Sequence, residues 1–272
     1  MYAITGITGH VGGATAHALL AANEKVRAVV RDPDKGKRWS DFAVADFTDR
    51  AALTGAFAGT RGAFVMLPTV PPFTDEAHRG MADTIAAAVA DSGVPHVVML
   101  SAIGADLAEG SGPIRWLHHL ENRLRETGAT VTAIRAPHFQ EKFEPFLGGD
   151  VYPVFAESAD VPVPMVATRD VGAAVAHALT SPPSASEVVD LEAPSYTERQ
   201  VAEALGLPVV TIPRAGWADA LTGAGLPPLL ATEIAALYAA DEDGLLQPRG
   251  DRRQSCTTEL GETLRGLVKP AA

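Results

Sequence analysis

Thr5, Gly6, Ile7, Thr8, Gly9, His10, Val11 and Gly12 place three glycines at three-residue spacing between a short apolar run at residues 2–5 and a helical pattern at residues 11–22. Glycines at that junction permit a tight turn and let a diphosphate approach the backbone closely, while the helix that follows offers unpaired amides and the positive end of its dipole. A second apolar run at residues 25–30 completes a βαβ unit. The spacing therefore predicts a dinucleotide site in which Gly6, Thr8, Gly9, His10, Val11 and Gly12 face the diphosphate.

Arg31 follows the second strand, about twenty residues past the glycines, where an acidic residue would bind a ribose 2′-hydroxyl. A guanidinium there can fork onto a 2′-phosphate and stack on adenine, which favours NADP. A solvated surface arginine is the plainer reading, and Asp32 beside it keeps NAD open. Lys35 and Lys37 lie close enough to add positive field. Asp46 and Phe47 follow the third strand, where Asp46 can accept from an adenine amino group or serve as a turn or helix-capping residue. Leu67 and Pro68 after the fourth strand, and Ser101 and Ala102 after the fifth, complete a set at strand carboxyl ends, the side on which open α/β sheets bind ligands.

The elements that must hold these residues alternate regularly. Strands are expected at residues 42–45, 62–67, 96–101 and 130–135, with helices at 50–57, 75–92 and 113–126. This is the rhythm of an α/β, Rossmann-type doubly wound parallel sheet. Between residues 136 and 165 periodicity fades and proline and aromatic residues accumulate, as in a segment leaving the sheet to line a cleft. A helix starting near Thr168 returns to the sheet, and residues 181–186 form a linker. Strands at 188–191 and 209–212, helices at 197–205 and 216–240, a loop at 246–256 and a helix at 258–268 read as a smaller C-terminal α/β cap. The expected division is a nucleotide domain over 1–145, rejoined by about 165–182, and a substrate-side cap over 146–164 and 183–272.

Composition narrows the function. With 47% hydrophobic and 20% charged residues the chain is an ordinary globular protein. Its net charge of −11, without a basic run, argues against nucleic acid. No stretch approaches the length of a membrane span. One cysteine, Cys256, and no leader pattern fit a cytoplasmic protein. No HxxxH or CxxC spacing suggests a metal, and the absence of GxSxG speaks against a hydrolase.

TGITGHVG, VVRDP, VADFTD, LSAIGAD, ETGATVTAIRAPHFQEKF and ATRDVGAAVAHAL together resemble the NmrA-like branch of atypical short-chain dehydrogenase/reductases over about the first 180 residues. That branch includes NAD(P)H-dependent quinone reductases, dye and phenolic reductases, and redox-sensing regulators that bind the dinucleotide without turning it over. The resemblance implies a bound NAD(P), with Thr8, Gly9, His10 and Val11 at the phosphates, Arg31 at the 2′-phosphate and Ser101 near the nicotinamide. The sequence departs from typical short-chain dehydrogenases in lacking a tyrosine with a lysine four residues later. Alcohol dehydrogenation through such a pair is therefore excluded.

His118 and His119 stand where phenolic-reductase relatives carry a lysine, and either imidazole can donate a proton or simply decorate the helix surface. Pro137, His138, Phe139 and Phe143 are expected to wall the acceptor pocket, with Phe146 and Trp217 as further aromatics, although each can equally be cap core. The sequence thus predicts an NADP-dependent reductase passing hydride to a quinone-like or other conjugated small molecule. The alternative is a non-catalytic NAD(P)-binding sensor acting through a protein partner. Oligomerisation is compatible with both.

Overall fold

The computed structural model describes residues 1–267. Val268, the last residue of the expected final helix, and the end of the expected cap at residues 268–272 lie outside the described residues. The chain opens with β1 (Tyr2–Ile4), α1 (His10–Ala21), β2 (Val26–Val30), α2 (Pro33–Gly36) and β3 (Phe42–Val44). It continues through α3 (Arg50–Phe57), β4 (Gly62–Val65), α4 (Asp75–Ser92), β5 (His96–Ala102), α5 (Ile114–Arg125) and β6 (Thr130–Ala136). Local chemistry sets the helix ends: the side chains of Asp49 and Thr74 accept the amides of Ala52 and Ala77, and Gly93 closes α4 in the left-handed region at φ 64°.

Side-chain alternation sorts the strands onto two cores. Tyr2 and Ile4 pack on one face with Leu19, Val171 and Val175, whereas Ala3 packs on the other with Leu53, Phe57, Ile85 and Trp116. Burial on both faces explains why β4 reads as a continuous apolar run.

Beyond β6 come β7 (His138–Phe139), a 3-10 helix (Gln140–Phe146), β8 (Tyr152–Val154), β9 (Pro162–Val166) and α6 (Thr168–Thr180). The remaining elements are β10 (Glu187–Glu192), β11 (Ser195–Thr197), α7 (Glu198–Leu205), β12 (Val209–Thr211), α8 (Trp217–Gly223), α9 (Pro228–Glu242), β13 (Arg252–Ser255) and α10 (Leu260–Leu267). The main sheet has eight strands in the order β13-β10-β6-β5-β4-β1-β2-β3, all paired in parallel. Strand order reverses beside β1, where the glycine loop emerges. Small sheets β11-β9-β7 and β12-β8 stand outside it, and a third core containing Phe143, Tyr152, Met165, Val201 and Leu260 joins them to the late helices.

Two expectations for the C-terminal part need correction. The strand expected at 188–191 as part of the cap extends the main sheet instead, because Glu187–Asp190 align with Thr132–Arg135 of β6. Residues 252–255, expected within a loop, form the edge strand β13. Its charged sequence hides the strand signal, and pairs from Arg252 to Glu187 and from Arg253 to Glu192 satisfy those charges on the solvent side.

Thr168 does begin α6, but it does not cap the helix with its own side chain. The Glu141 carboxylate accepts both the Thr168 amide at 3.0 Å and its hydroxyl at 2.7 Å, a favourable place for negative charge. Further along α6, Gly172 meets α1 so closely that a side chain's Cβ would lie 2.5 Å from the Cβ of Ala14.

Candidate active site

The glycine loop leaves β1 at the reversal of strand order, anchored by the Thr5 amide and hydroxyl on the carbonyl of Phe64. Gly6 has φ 60°, and a Cβ there would lie 2.3 Å from the Met66 sulfur. At Gly12 a Cβ would stand 2.3 Å from the Gly6 carbonyl oxygen, so the first helical turn rests directly on the loop. Gly9 caps α1 without a side chain, the first turn carries no acidic residue, and Thr8, Gly9 and His10 are exposed. The end of α1 therefore presents its opening amides outward with no acidic residue in its own first turn, which suits a diphosphate.

Next to this loop is a cavity of about 460 Å³, whose walls include Thr8, Gly9, Arg31, Lys35, Phe47 and Met66. Asp32 also lines it, but its carboxylate accepts the Asp34 amide at 2.9 Å and caps α2. Two cations, Arg31 and Lys35, thus meet the cavity beside a carboxylate already engaged by the backbone. That arrangement can hold a 2′-phosphate better than a bare ribose.

The other expected cofactor residues divide. Asp46 is a turn residue: its carboxylate accepts the Thr48 amide at 2.9 Å and hydroxyl at 2.6 Å, and these bonds hold its pKa below the usual range. Ala45 and Phe47 on either side face the cavity. Pro68 lines it as well, whereas Leu67 is buried in the core and its neighbour Met66 takes the place expected for it. The Ser101 hydroxyl donates to buried Glu121 at 2.6 Å, and Glu121 also receives the Arg135 guanidinium at 2.9 Å. Ser101 is thereby tied into the sheet and α5, while Ala102 at the end of β5 remains half-buried.

His118 and His119 line neither of these two cavities. His118 bonds the Ala105 carbonyl at 2.9 Å and Asn122 at 2.9 Å, and His119 bonds Asp83 of α4 at 2.9 Å. Each imidazole stitches α5 to a neighbour, and this accounts for them without proton transfer.

The second cavity, about 230 Å³, lies beyond the carboxyl end of β6. His138 and Phe143 line it as expected, whereas Pro137 and Phe139 stand half-buried next to it in sequence. Trp217 belongs to the cap core, with its indole N–H on the Ile212 carbonyl at 2.8 Å. Sequence reasoning missed several walls: Tyr152, Phe155, Glu198, Tyr238, Asp241 and Glu242. Their separation along the chain leaves no local motif, and the only available hint was that three of the four tyrosines fall in the expected cap.

The polar groups of this cavity are paired closely. Tyr152 donates to Glu198 at 2.5 Å, Lys142 approaches the same carboxylate at 2.9 Å, and His138 lies 2.9 Å from Asp241. Burial and the neighbouring Glu198 charge push the Tyr152 phenol far above its ordinary value and raise Tyr238 to about 12. One contact, His10 Nε2 to Glu144 Oε2 at 3.2 Å, joins the start of α1 to the 3-10 helix carrying Lys142 and Phe143.

A family profile described as NAD(P)H-binding matches residues 6–182. The chain belongs to this NAD(P)H-binding family. Over 257 residues it is 28% identical to an NAD(P)H azoreductase of Xenophilus azovorans, covering 88% of this chain and 86% of the azoreductase.

Among solved structures, an NADPH-dependent quinone oxidoreductase from Escherichia coli, complexed with NADPH, is similar with a TM-score of 0.80 at 23% identity. That likeness covers 99% of this chain and 100% of the oxidoreductase. A Citrobacter sp. triphenylmethane reductase complexed with NADP(H) gives a TM-score of 0.81 at 23% identity, over 98% of this chain and 100% of the reductase. This NAD(P)H-binding protein therefore shares its fold with both from end to end. Among its described residues no helix is long and apolar enough to cross a membrane.

Proposed function

We propose that the protein is an NADPH-dependent reductase that passes hydride to a quinone-like or other conjugated small-molecule acceptor. The observation that carries this reading is the pairing of two cavities on the carboxyl side of one parallel sheet. One is floored by glycine and helix amides and rimmed by Arg31 and Lys35; the other is walled by aromatic rings. The names borne by its relatives, an azoreductase, a quinone oxidoreductase and a triphenylmethane reductase, support the same class of chemistry.

When bound, the reduced nicotinamide supplies a hydride; the chain's own residues orient, shield and discriminate. The opening amides of α1 hold the diphosphate, and the Arg31 guanidinium with Lys35 binds the 2′-phosphate. Phe47 and Ala45 provide the apolar wall for adenine. The rings of Phe146, Phe155 and Tyr238, backed by buried Phe143 and Tyr152, supply flat apolar surface to a conjugated acceptor and keep water from it. Tyr152 is fastened to Glu198 and holds its proton tightly, so the missing Tyr/Lys pair has no replacement there.

Purified protein mixed with NADPH and a small set of quinones tests this, with the absorbance of the reduced nicotinamide as readout. Sustained, acceptor-dependent loss is expected. Tight dinucleotide binding with no loss for any acceptor would overturn the reductase reading.

A further inference from the structure

We propose that the aromatic cavity selects acceptors carrying a delocalised positive charge and disfavours anionic ones. The inference rests on the reductase reading and specifies the substrate class of that site.

The first support is the charge balance of the walls. Three carboxylates, Glu198, Asp241 and Glu242, face the cavity against Lys142 and His138. Lys142 is absorbed by Glu198 at 2.9 Å. His138 lies 2.9 Å from Asp241 and offsets it only when protonated. Glu242 receives the backbone amide of Glu157 at 3.2 Å, and among the described residues no cation pairs with it. Arg214 forks onto Asp243 at 2.7 Å and acts on Glu242 only at longer range, without an ion pair to it. The walls therefore retain one negative charge when His138 is protonated and two when it is neutral.

The second support is independent of charge counting. Phe155 and Tyr238 stack at 5.3 Å with 22° between their planes, and Phe146 meets Tyr152 edge-on at 5.4 Å. Ring faces are electron-rich, so a flat cation gains from the outer faces left by these pairs, on half-buried Phe146, Phe155 and Tyr238, as well as from the carboxylates, whereas an anion is repelled by both.

The chemistry then closes without a proton donor. An acceptor cation that takes one hydride gains a C–H or N–H bond at its electron-poor atom, formed from the hydride's own electron pair. It becomes neutral as the nicotinamide is oxidised, and no proton is consumed. A neutral quinone, by contrast, needs a proton in addition to the hydride. Tyr152 and Tyr238 are poorly suited to give one, since burial and Glu198 keep their protons in place.

The test compares two flat tricyclic dyes by fluorescence titration with the NADP⁺-loaded protein: methylene blue, a cation, and resorufin, an anion. Methylene blue should bind at least about tenfold more tightly. Glu242→Gln should narrow that ratio by about threefold, leaving NADP⁺ affinity unchanged, and added salt should narrow it further. Equal binding of the two dyes, tighter binding of resorufin, or a ratio unmoved by Glu242→Gln would overturn the selection.

Turnover of neutral 1,4-naphthoquinone with NADPH, measured in parallel, separates this result from the reductase reading. Turnover with indifferent dye binding defeats charge selection alone. Charge-selective binding without turnover of naphthoquinone or methylene blue defeats the reductase reading and leaves the selection standing.

Discussion

The two cavities are built by opposite means. The proposed dinucleotide cavity is floored by backbone: a loop whose Gly6 and Gly12 cannot acquire a Cβ without striking Met66 or the Gly6 carbonyl, and a helix end that presents its amides. Its glycine loop and basic rim lie within the first 35 residues, and all of its walls precede residue 69. The acceptor cavity is made of side chains drawn from residues as distant as His138 and Glu242, and its polar members are held by one another. A backbone site fixes one ligand geometry and tolerates little change, whereas a side-chain site can be altered one wall at a time.

The largest effect that would test this contrast is expected at Phe143, which is fully buried in the third core. Phe143→Ala should cost about 3–5 kcal/mol in thermal or denaturant unfolding. Distant sites are normally independent, so NADPH affinity measured by calorimetry should change by less than about twofold. A parallel collapse of NADPH binding would mean that the two regions are not separable.

Gly12→Ala attacks the other side. The new methyl group meets backbone that cannot rotate away, so a stability loss of about 1–3 kcal/mol is expected. The heat of dinucleotide binding should disappear while dye binding in the acceptor cavity persists.

Arg31→Ala should have a smaller and more selective effect, weakening NADPH by about tenfold while changing NADH by less than about twofold. Equal losses for both nucleotides would defeat the 2′-phosphate assignment.

The smallest effect concerns alkaline stability. Tyr238 keeps its proton to about 12 in the folded protein, against an ordinary 10.0. The folded state therefore binds more protons than the unfolded chain between those values. This contribution to stability is complete below pH 10 and is lost as pH rises through about 12. Tyr238→Phe should flatten the slope of unfolding free energy against pH in that window and leave it unchanged near neutrality. An unaltered alkaline slope would remove Tyr238 from the account.

The same contrast governs what could be read from sequence. The helices at Arg50–Phe57 and Asp75–Ser92 were legible to the residue, because Asp49 and Thr74 cap them and Gly93 ends the second. The glycine loop was legible because everything it needs is local. Strand β10 was recognised as a strand but assigned to the wrong sheet, since parallel pairing with β6 is a long-range choice that leaves no local mark. β13 was missed because a charged edge strand carries no apolar alternation. At the site, Arg31 and Phe47 were found from their positions after strands, whereas Asp46 and Ser101 follow strands equally well and turn their side chains to Thr48 and Glu121. Position along a strand fixes where a residue stands; its partners across the fold decide which way it turns.

Gly172 and Glu141 together have a mechanical consequence. Helix α6 is held at its start by the Glu141 carboxylate of the 3-10 helix and pressed in its middle against α1, the helix proposed to carry the diphosphate. A beam fixed at both points does not hinge, so a swinging flap over the acceptor would drag the nucleotide's floor with it. New acceptor preferences in this architecture are therefore expected from exchanged wall residues on a stationary frame.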